Sequence, residues 1–150
     1  MCIRDRHIII RSGWLYSSHG NNFMNTMIKL LKNNTSINVI GDQFGTPTSC
    51  KDLVLAIFEI IENKKFNLYA KNGSIYHFSN SGYCSWYEYA AEIKKIINSD
   101  CRIIKINSDQ YNTVAVRPKN SILKVTKIID DFGLNILPWE ESLRRVLEKN

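Results

Sequence analysis

Ile8, Ile9 and Ile10 are three consecutive β-branched residues, and the run predicts a strand buried on both faces. Residues 12–22 are rich in Ser, Gly, His and Asn and read as a loop. From there Phe23, Met27, Leu30 and Leu31 recur at helical spacing, with Asn21 or Asn22 as the cap. Residues 37–40 read as a second strand. The next segment, GDQFGTPT, is a loop punctuated by glycine and proline. Ser49 followed by Asp52 resembles a capping box, and Leu53, Ile57, Ile60 and Ile61 mark the helix behind it. Asn72-Gly73 predicts a turn, residues 75–78 a third strand, and Asn80-Ser81-Gly82 another turn. Ser85 and Glu88 make the clearest capping box in the chain, ahead of a helix with Trp86, Tyr89, Ala90, Ile93 and Ile97 on one face. Residues 102–106 read as a fourth strand, followed by a polar loop to Arg117-Pro118. A short helix ends at Gly133, a good residue to follow a helix C-terminus, and Pro138 suits the first turn of a last helix faced by Trp139, Leu143, Val146 and Leu147.

Strands alternating with helices at these spacings predict an α/β fold built from parallel crossover units. Ligands of open α/β sheets bind beyond the carboxyl ends of the strands. The loops 12–22, 41–48 and 80–85 follow predicted strands directly, and function is expected there. The 150 residues suffice for one domain, and no internal repeat or low-complexity linker divides them. The first six residues, MCIRDR, fit neither period and are read as a non-native or truncated start, with the folded part at 7–150.

Charge narrows the partners. Twenty Lys and Arg against 14 Asp and Glu give a net charge of +6, which suits a phosphorylated small molecule or a nucleic acid. The basic residues are scattered in runs no longer than two, such as Lys64-Lys65 and Arg144-Arg145, so no nucleic-acid stripe is expected. The longest uncharged apolar runs fall far short of the ~20 residues a membrane helix needs, and no membrane association is expected. Cys2, Cys50, Cys84 and Cys101 form no C-x-x-C pair and have no His at zinc-ligand spacing, which predicts reduced, structural thiols. With no secretory signal pattern, the expected location is the cytoplasm.

Several side chains offer chemistry. Trp14 and Tyr16 stand at a loop mouth among small polar residues, where an indole stacks on a sugar or nicotinamide ring, or simply plugs the loop. Asp42, Gln43, Thr46 and Thr48 lie on a backbone constrained by Pro47, and Arg117 has the planar fork that clamps a diphosphate. His7, His19 and His77 carry no triad or metal spacing. The seven glycines form no dinucleotide phosphate loop, and none of the seven tyrosines is followed by Lys four positions on.

The segments IIIRSGWLYSSHGNNFMNTM, GDQFGTPTSCKDL, IYHFSNSGYCSWYEYA and AVRPKNSILKVTKIIDDFGL, in this order, resemble the C-terminal half of the dTDP-4-dehydrorhamnose reductase family, within the extended short-chain dehydrogenase/reductases. The resemblance implies the C-terminal part of a Rossmann-like parallel sheet plus a small substrate-binding α/β subdomain. It implies that the complete enzyme uses NADPH or NADH to reduce the C4 keto group of dTDP-4-dehydro-6-deoxy-L-mannose to dTDP-L-rhamnose for surface polysaccharide. A homodimer and Mg2+ are further features it leaves open for the complete enzyme. The family's phosphate loop and its Tyr-x-x-x-Lys proton donor precede the part matched here, so no catalytic residue is assigned and the chain alone is expected to be inactive. Carried over by position, Trp14, Asn22, Gln43, Thr48, Ser85 and Arg117 are the expected substrate-binding residues, and Ser12 and Gly13 the cofactor-facing ones. Ser12 and Gly13 replace the usual Thr and Ser, Asn112 and Val114 replace prolines, and Lys124 replaces an aspartate. Two other readings stay open: a non-catalytic regulatory subunit of this fold, as in methionine adenosyltransferase, and a related nucleotide-sugar epimerase or dehydratase.

Overall fold

The parallel crossovers expected from the alternation are present in the computed structural model, which describes residues 6–71, 73–111 and 117–148. The chain runs β1 (Ile8–Arg11), β2 (Leu15–Tyr16), α1 (Phe23–Asn33), β3 (Ser36–Ile40), β4 (Phe44–Gly45), β5 (Thr48–Ser49), α2 (Cys50–Glu62), α3 (Phe66–Ala70), β6 (Ser74–His77), β7 (Cys84–Ser85) and α4 (Trp86–Ile96). It continues through β8 (Arg102–Ile106), a 3-10 turn at Ser108–Gln110, β9 (Asn120–Ser121), α5 (Thr126–Phe132) and α6 (Trp139–Leu147). Strand β1 pairs in parallel with β6, from Ile8 opposite Ser74 to Arg11 opposite His77. Strand β3 pairs in parallel with β8, from Ser36 opposite Arg102 to Ile40 opposite Ile106.

Each pair carries its own core. Helices α1 and α4 pack on the β3–β8 pair and bury Met24, Met27, Leu31, Tyr89, Ala90 and Ile93. Helices α2 and α5 flank the β1–β6 pair and bury Ala56, Ile60, Tyr76, Ile128 and Phe132. The two units are stitched by two-residue ladders: β2 with β5, and β4 between β7 and β9.

Local chemistry sets the boundaries. Helix α1 starts where the Asn22 side chain accepts the Asn25 amide at 3.0 Å. Helix α4 starts on a complete capping box: the Glu88 carboxylate accepts the Ser85 amide at 2.7 Å, and the Ser85 hydroxyl accepts the Glu88 amide at 3.2 Å. Helix α5 ends at Gly133, whose φ of +72° is left-handed backbone that glycine adopts without strain. Pro138 stands one residue earlier than expected, as the cap of α6 rather than in its first turn.

Two expectations need correction. Ser49 caps α2, accepting the Asp52 amide, but the box is only half formed. The Asp52 carboxylate turns instead to Asn80 Nδ2 at 2.7 Å and Ser142 Oγ, because those donors are buried beside it. Strand β1 is not covered on both faces: Ile8 and Ile10 pack into the second core, whereas Ile9 and its ladder neighbour Ile75 are each 45% exposed. Among the described residues nothing covers that face, and β1 has no second strand partner. Helix α2 likewise leaves Val54, Phe58 and Ile61 outward in one stripe. The proposed irregular start at residues 1–6 lies outside the described residues except for Arg6, which forms a bridge with Lys71. Cys2, Asn72, Asn112 and Val114 also lie outside them.

Candidate ligand cleft at the strand ends

Gly13 and Trp14 leave β1 at its carboxyl end, and Thr48 holds both. Its hydroxyl donates to the Gly13 carbonyl at 2.7 Å, and its amide donates to the Trp14 carbonyl at 3.1 Å. Trp14 adopts a φ of +46°, uncommon for a residue with a side chain, and turns its indole inward. The indole lies flat on Trp86 with ring centroids 3.4 Å apart and planes 8° off parallel. Phe23 leans on the other indole, Trp86, at 4.4 Å. Gly45 makes room for this stack, since a Cβ there would come within 2.3 Å of Trp14 Cε2.

Beside the stack, Phe23, Met27 and Leu30 of α1, residues 38–40 of β3, Gln43, Trp86, Tyr111 and Arg117 enclose a cavity of about 250 Å³. Aromatic and aliphatic walls suit the flat face of a base or a sugar. The Gln43 amide offers both a donor and an acceptor, and the Arg117 guanidinium a fork matched to phosphate oxygens. Arg117 is exposed, whereas Gln43 is only 6% exposed, so its amide is held in the wall by its surroundings.

The expected site residues separate into groups. Gln43 and Arg117 line the cavity together. Trp14 stands behind Trp86, one ring away. Asn22, Thr48 and Ser85 have their polar atoms engaged within the fold: Asn22 in the α1 cap and with the Ser17 carbonyl at 2.8 Å, Thr48 with Gly13, Ser85 with Glu88. Tyr16 turns into the first core, and burial pushes its phenol far above the usual range, with the Asp52 charge adding to it. Asp42 points out of the cavity wall to Ser108, whose hydroxyl and amide each donate at 2.8 Å. The Ser108 hydroxyl foremost holds the Asp42 carboxyl below the usual carboxylate range, outweighing the opposing desolvation, and the Ser108 amide adds to it.

At the end of β1, Ser12 Oγ is buried and has no hydrogen-bond partner among the described residues. A hydroxyl in that state beyond a parallel strand fits a polar group of a ligand, and the adjoining Gly13 leaves open space, its nearest neighbour on the Cβ side being Leu123 at 3.9 Å. Among the described residues no three His, Cys, Asp or Glu side chains gather as metal ligands. No helix of the described residues is long and apolar enough to cross a membrane.

Trp86 and Tyr111 were not singled out as cavity residues from the sequence. Trp86 is read there as part of the apolar face of α4, which it is, while also walling the cavity. Tyr111 carries one signal, a large aromatic in a polar loop that follows a strand.

Fold and cleft together define a Rossmann-like α/β ligand-binding part. The chain belongs to the family described as the RmlD substrate binding domain, which it matches over residues 3–150. It is 36% identical over 141 residues to the spore coat polysaccharide biosynthesis protein SpsK of Bacillus subtilis (strain 168), covering 94% of this chain and 47% of that protein. It is 35% identical over 145 residues to the dTDP-4-dehydrorhamnose reductase of Sinorhizobium fredii (strain NBRC 101917 / NGR234), covering 94% of this chain and 49% of that one. The crystal structure of dTDP-4-dehydrorhamnose reductase from Bacillus anthracis str. Ames in complex with NADP superposes with a TM-score of 0.84 at 35% identity, covering 97% of this chain and 49% of that one. The resemblance read from the sequence is upheld, and the chain spans about half the length of the relatives it matches.

Proposed function

We propose that this chain is the substrate-binding part of a reductase that converts dTDP-4-dehydro-6-deoxy-L-mannose to dTDP-L-rhamnose for surface polysaccharide synthesis in the cytoplasm. The observation that carries the reading is the cavity in which Gln43 and Arg117 stand among Phe23, Trp86 and Tyr111. An aromatic wall takes the base or sugar face, the Gln43 amide fixes orientation, and the Arg117 fork takes the diphosphate. At about 250 Å³ the cavity holds part of a nucleotide sugar, and the remainder extends past Trp14 toward the end of β1. Asn22, Thr48 and Ser85 serve the site by building it, since their polar atoms hold the loops and helix starts that carry the contacts.

Ser12 and Gly13 are the residues that would meet the cofactor, the unpartnered Ser12 hydroxyl satisfying one of its polar groups. NADPH or NADH, when bound, supplies the hydride for the keto carbon. No residue of this chain is assigned the proton donation, because no Tyr is followed by Lys four positions later. The chain therefore binds and orients, and turnover requires a hydride-donor site and a proton donor from outside it.

The test is calorimetry with dTDP-glucose and UDP-glucose, together with an NADPH oxidation assay on the dehydro-sugar. Binding of the dTDP sugar, weakened by Arg117→Ala and Gln43→Ala, without turnover by the chain alone, is the expected result. Absence of nucleotide-sugar binding, or turnover by this chain unaided, overturns the reading.

A further inference from the structure

We propose that Tyr111 is a ligand-contacting residue of the cleft and that Asp42, acting through Ser108, is the positioning residue that seats it. The inference deepens the proposed function and rests on that reading of the cleft.

Strands β3 and β8 are parallel neighbours with Ile40 opposite Ile106, so the loops leaving their carboxyl ends start side by side. The Gly41 amide donates to the Ile106 carbonyl at 2.9 Å and continues the ladder one step beyond the strands. At the next residue the two loops are clasped. One Asp42 oxygen accepts the Ser108 amide and the other accepts the Ser108 hydroxyl, both at 2.8 Å. A carboxylate accepting from both donors of one residue fixes that residue in position and direction, which a single bond does not. Ser108 opens the 3-10 turn, the Gln110 side chain accepts the Asn107 amide at 2.9 Å, and the Tyr111 amide donates back to the Ser108 carbonyl at 3.3 Å. The backbone of Tyr111 is therefore referred, through one turn, to Asp42.

Asp42 is the residue before Gln43, and Gln43 and Tyr111 line the same cavity. One carboxylate thus sets the spacing between two cavity residues from different loops. Tyr111 leaves 49% of its surface to solvent and contributes to neither core. An aromatic ring kept half exposed over a cavity that holds a guanidinium offers a stacking face to a base or sugar that arrives with a diphosphate. The negative charge of Asp42 does not oppose that diphosphate directly, because both oxygens face Ser108.

Binding and positioning are tested separately. Calorimetry with dTDP-glucose as the probe is expected to show Tyr111→Ala weakened about tenfold, the order of one stacked ring. Tyr111→Phe keeps the parent affinity, since the face and not the hydroxyl makes the contact. Asp42→Ala loses affinity about as much as Tyr111→Ala, and Asp42→Asn, which still accepts the Ser108 amide, restores most of it. Seating is read without ligand, from tyrosine ring resonances in the isotope-labelled chain: Asp42→Ala moves the Tyr111 signals toward free tyrosine and leaves the other six tyrosines unmoved. Parent affinity in Tyr111→Ala overturns the contact, and unmoved Tyr111 signals in Asp42→Ala overturn the positioning role. If the parent chain itself fails to bind dTDP-glucose, the reading of the cleft and the contact fall together, while the ring resonances still decide the role of Asp42.

Discussion

The indole of Trp14 lies face to face with that of Trp86 at 3.4 Å, so the end of strand β1 and the start of helix α4 meet through two aromatic planes. The stack fixes a loop residue held at positive φ, and Trp86 is only partly buried. Replacing Trp86 by Ala is expected to destabilise the chain by about 3 kcal/mol, at the low end for loss of a core aromatic. The coupled indole signal in the far-ultraviolet circular dichroism disappears with it. Trp86→Phe retains most of the stability and loses the signal. An unchanged spectrum in Trp86→Ala contradicts the stack.

Gly45 faces the same indole. Gly45→Ala drives a methyl to within 2.3 Å of Trp14 Cε2, and either the ring or the β4 ladder yields. Overpacking of this kind costs about 1–3 kcal/mol. A lowered Tm together with a shifted tryptophan emission maximum is the expected outcome, and in a Trp14→Ala background Gly45→Ala no longer lowers Tm.

Asn80 joins three elements. Its carbonyl oxygen accepts the Ser49 amide at 2.8 Å, and its amide donates to Asp52 at 2.7 Å and Ser142 at 2.8 Å. Asn80→Ala leaves a buried backbone amide unpaired and removes a donor from a carboxylate. A loss of about 2–4 kcal/mol in denaturant unfolding is expected. A loss under half of that places the network's weight elsewhere.

Alkaline pH acts on the first core. Desolvation by burial, reinforced by neighbouring charges, raises Tyr16, Tyr89 and Cys84 above their ordinary values. Below about pH 8.5 these groups are protonated in both folded and unfolded states and their contribution to stability is complete. As pH rises past roughly 8.5 for the thiol and 10 for the phenols, the unfolded chain releases protons that the folded chain retains, and stability falls. Tm is expected to decline steadily from about pH 9 upward. A flat profile to pH 11 contradicts it.

The open faces make the chain adhesive. Ile9 with Ile75 and the Val54, Phe58 and Ile61 stripe of α2 place large apolar groups in water beside a strand edge. Light scattering is expected to show concentration-dependent self-association that Phe58→Lys with Ile61→Lys shifts toward monomer. A monodisperse monomer of the parent chain at 100 µM, melting cooperatively, removes the prediction.

Long elements were readable from the chain because their periods repeat. Strand β8 occupies the predicted residues 102–106, and the Ser85–Glu88 box marks the start of α4 by chemistry alone. Strands β2, β4, β5, β7 and β9 have two residues each, too few for an alternation, and they hide inside polar loops. Helix α3 follows Lys64-Lys65 with no side-chain cap and gave no start signal. The second partner of Asp52 was equally hidden, since Ser142 comes near only through folding.

The cavity was legible only as far as the loops that line it. Motif position led to the loops of Gln43 and Arg117, which share the cavity. It led equally to Thr48 and Ser85, whose hydroxyls are hydrogen-bonded within the fold. The hydroxyl of Thr48 looks the same in sequence whether it faces a sugar or the Gly13 carbonyl. The place of Tyr111 over the cavity has no sequence signature, because the turn that leads to it is held by the tertiary clasp of Ser108 on Asp42.

The grip of Thr48 on Gly13 and Trp14 makes one rigid pivot of two segments distant along the chain. Gln43 and Thr48 lie on the same short loop, so the cavity wall at Gln43 and the end of β1 beside Ser12 are joined by a few residues of backbone and two hydrogen bonds.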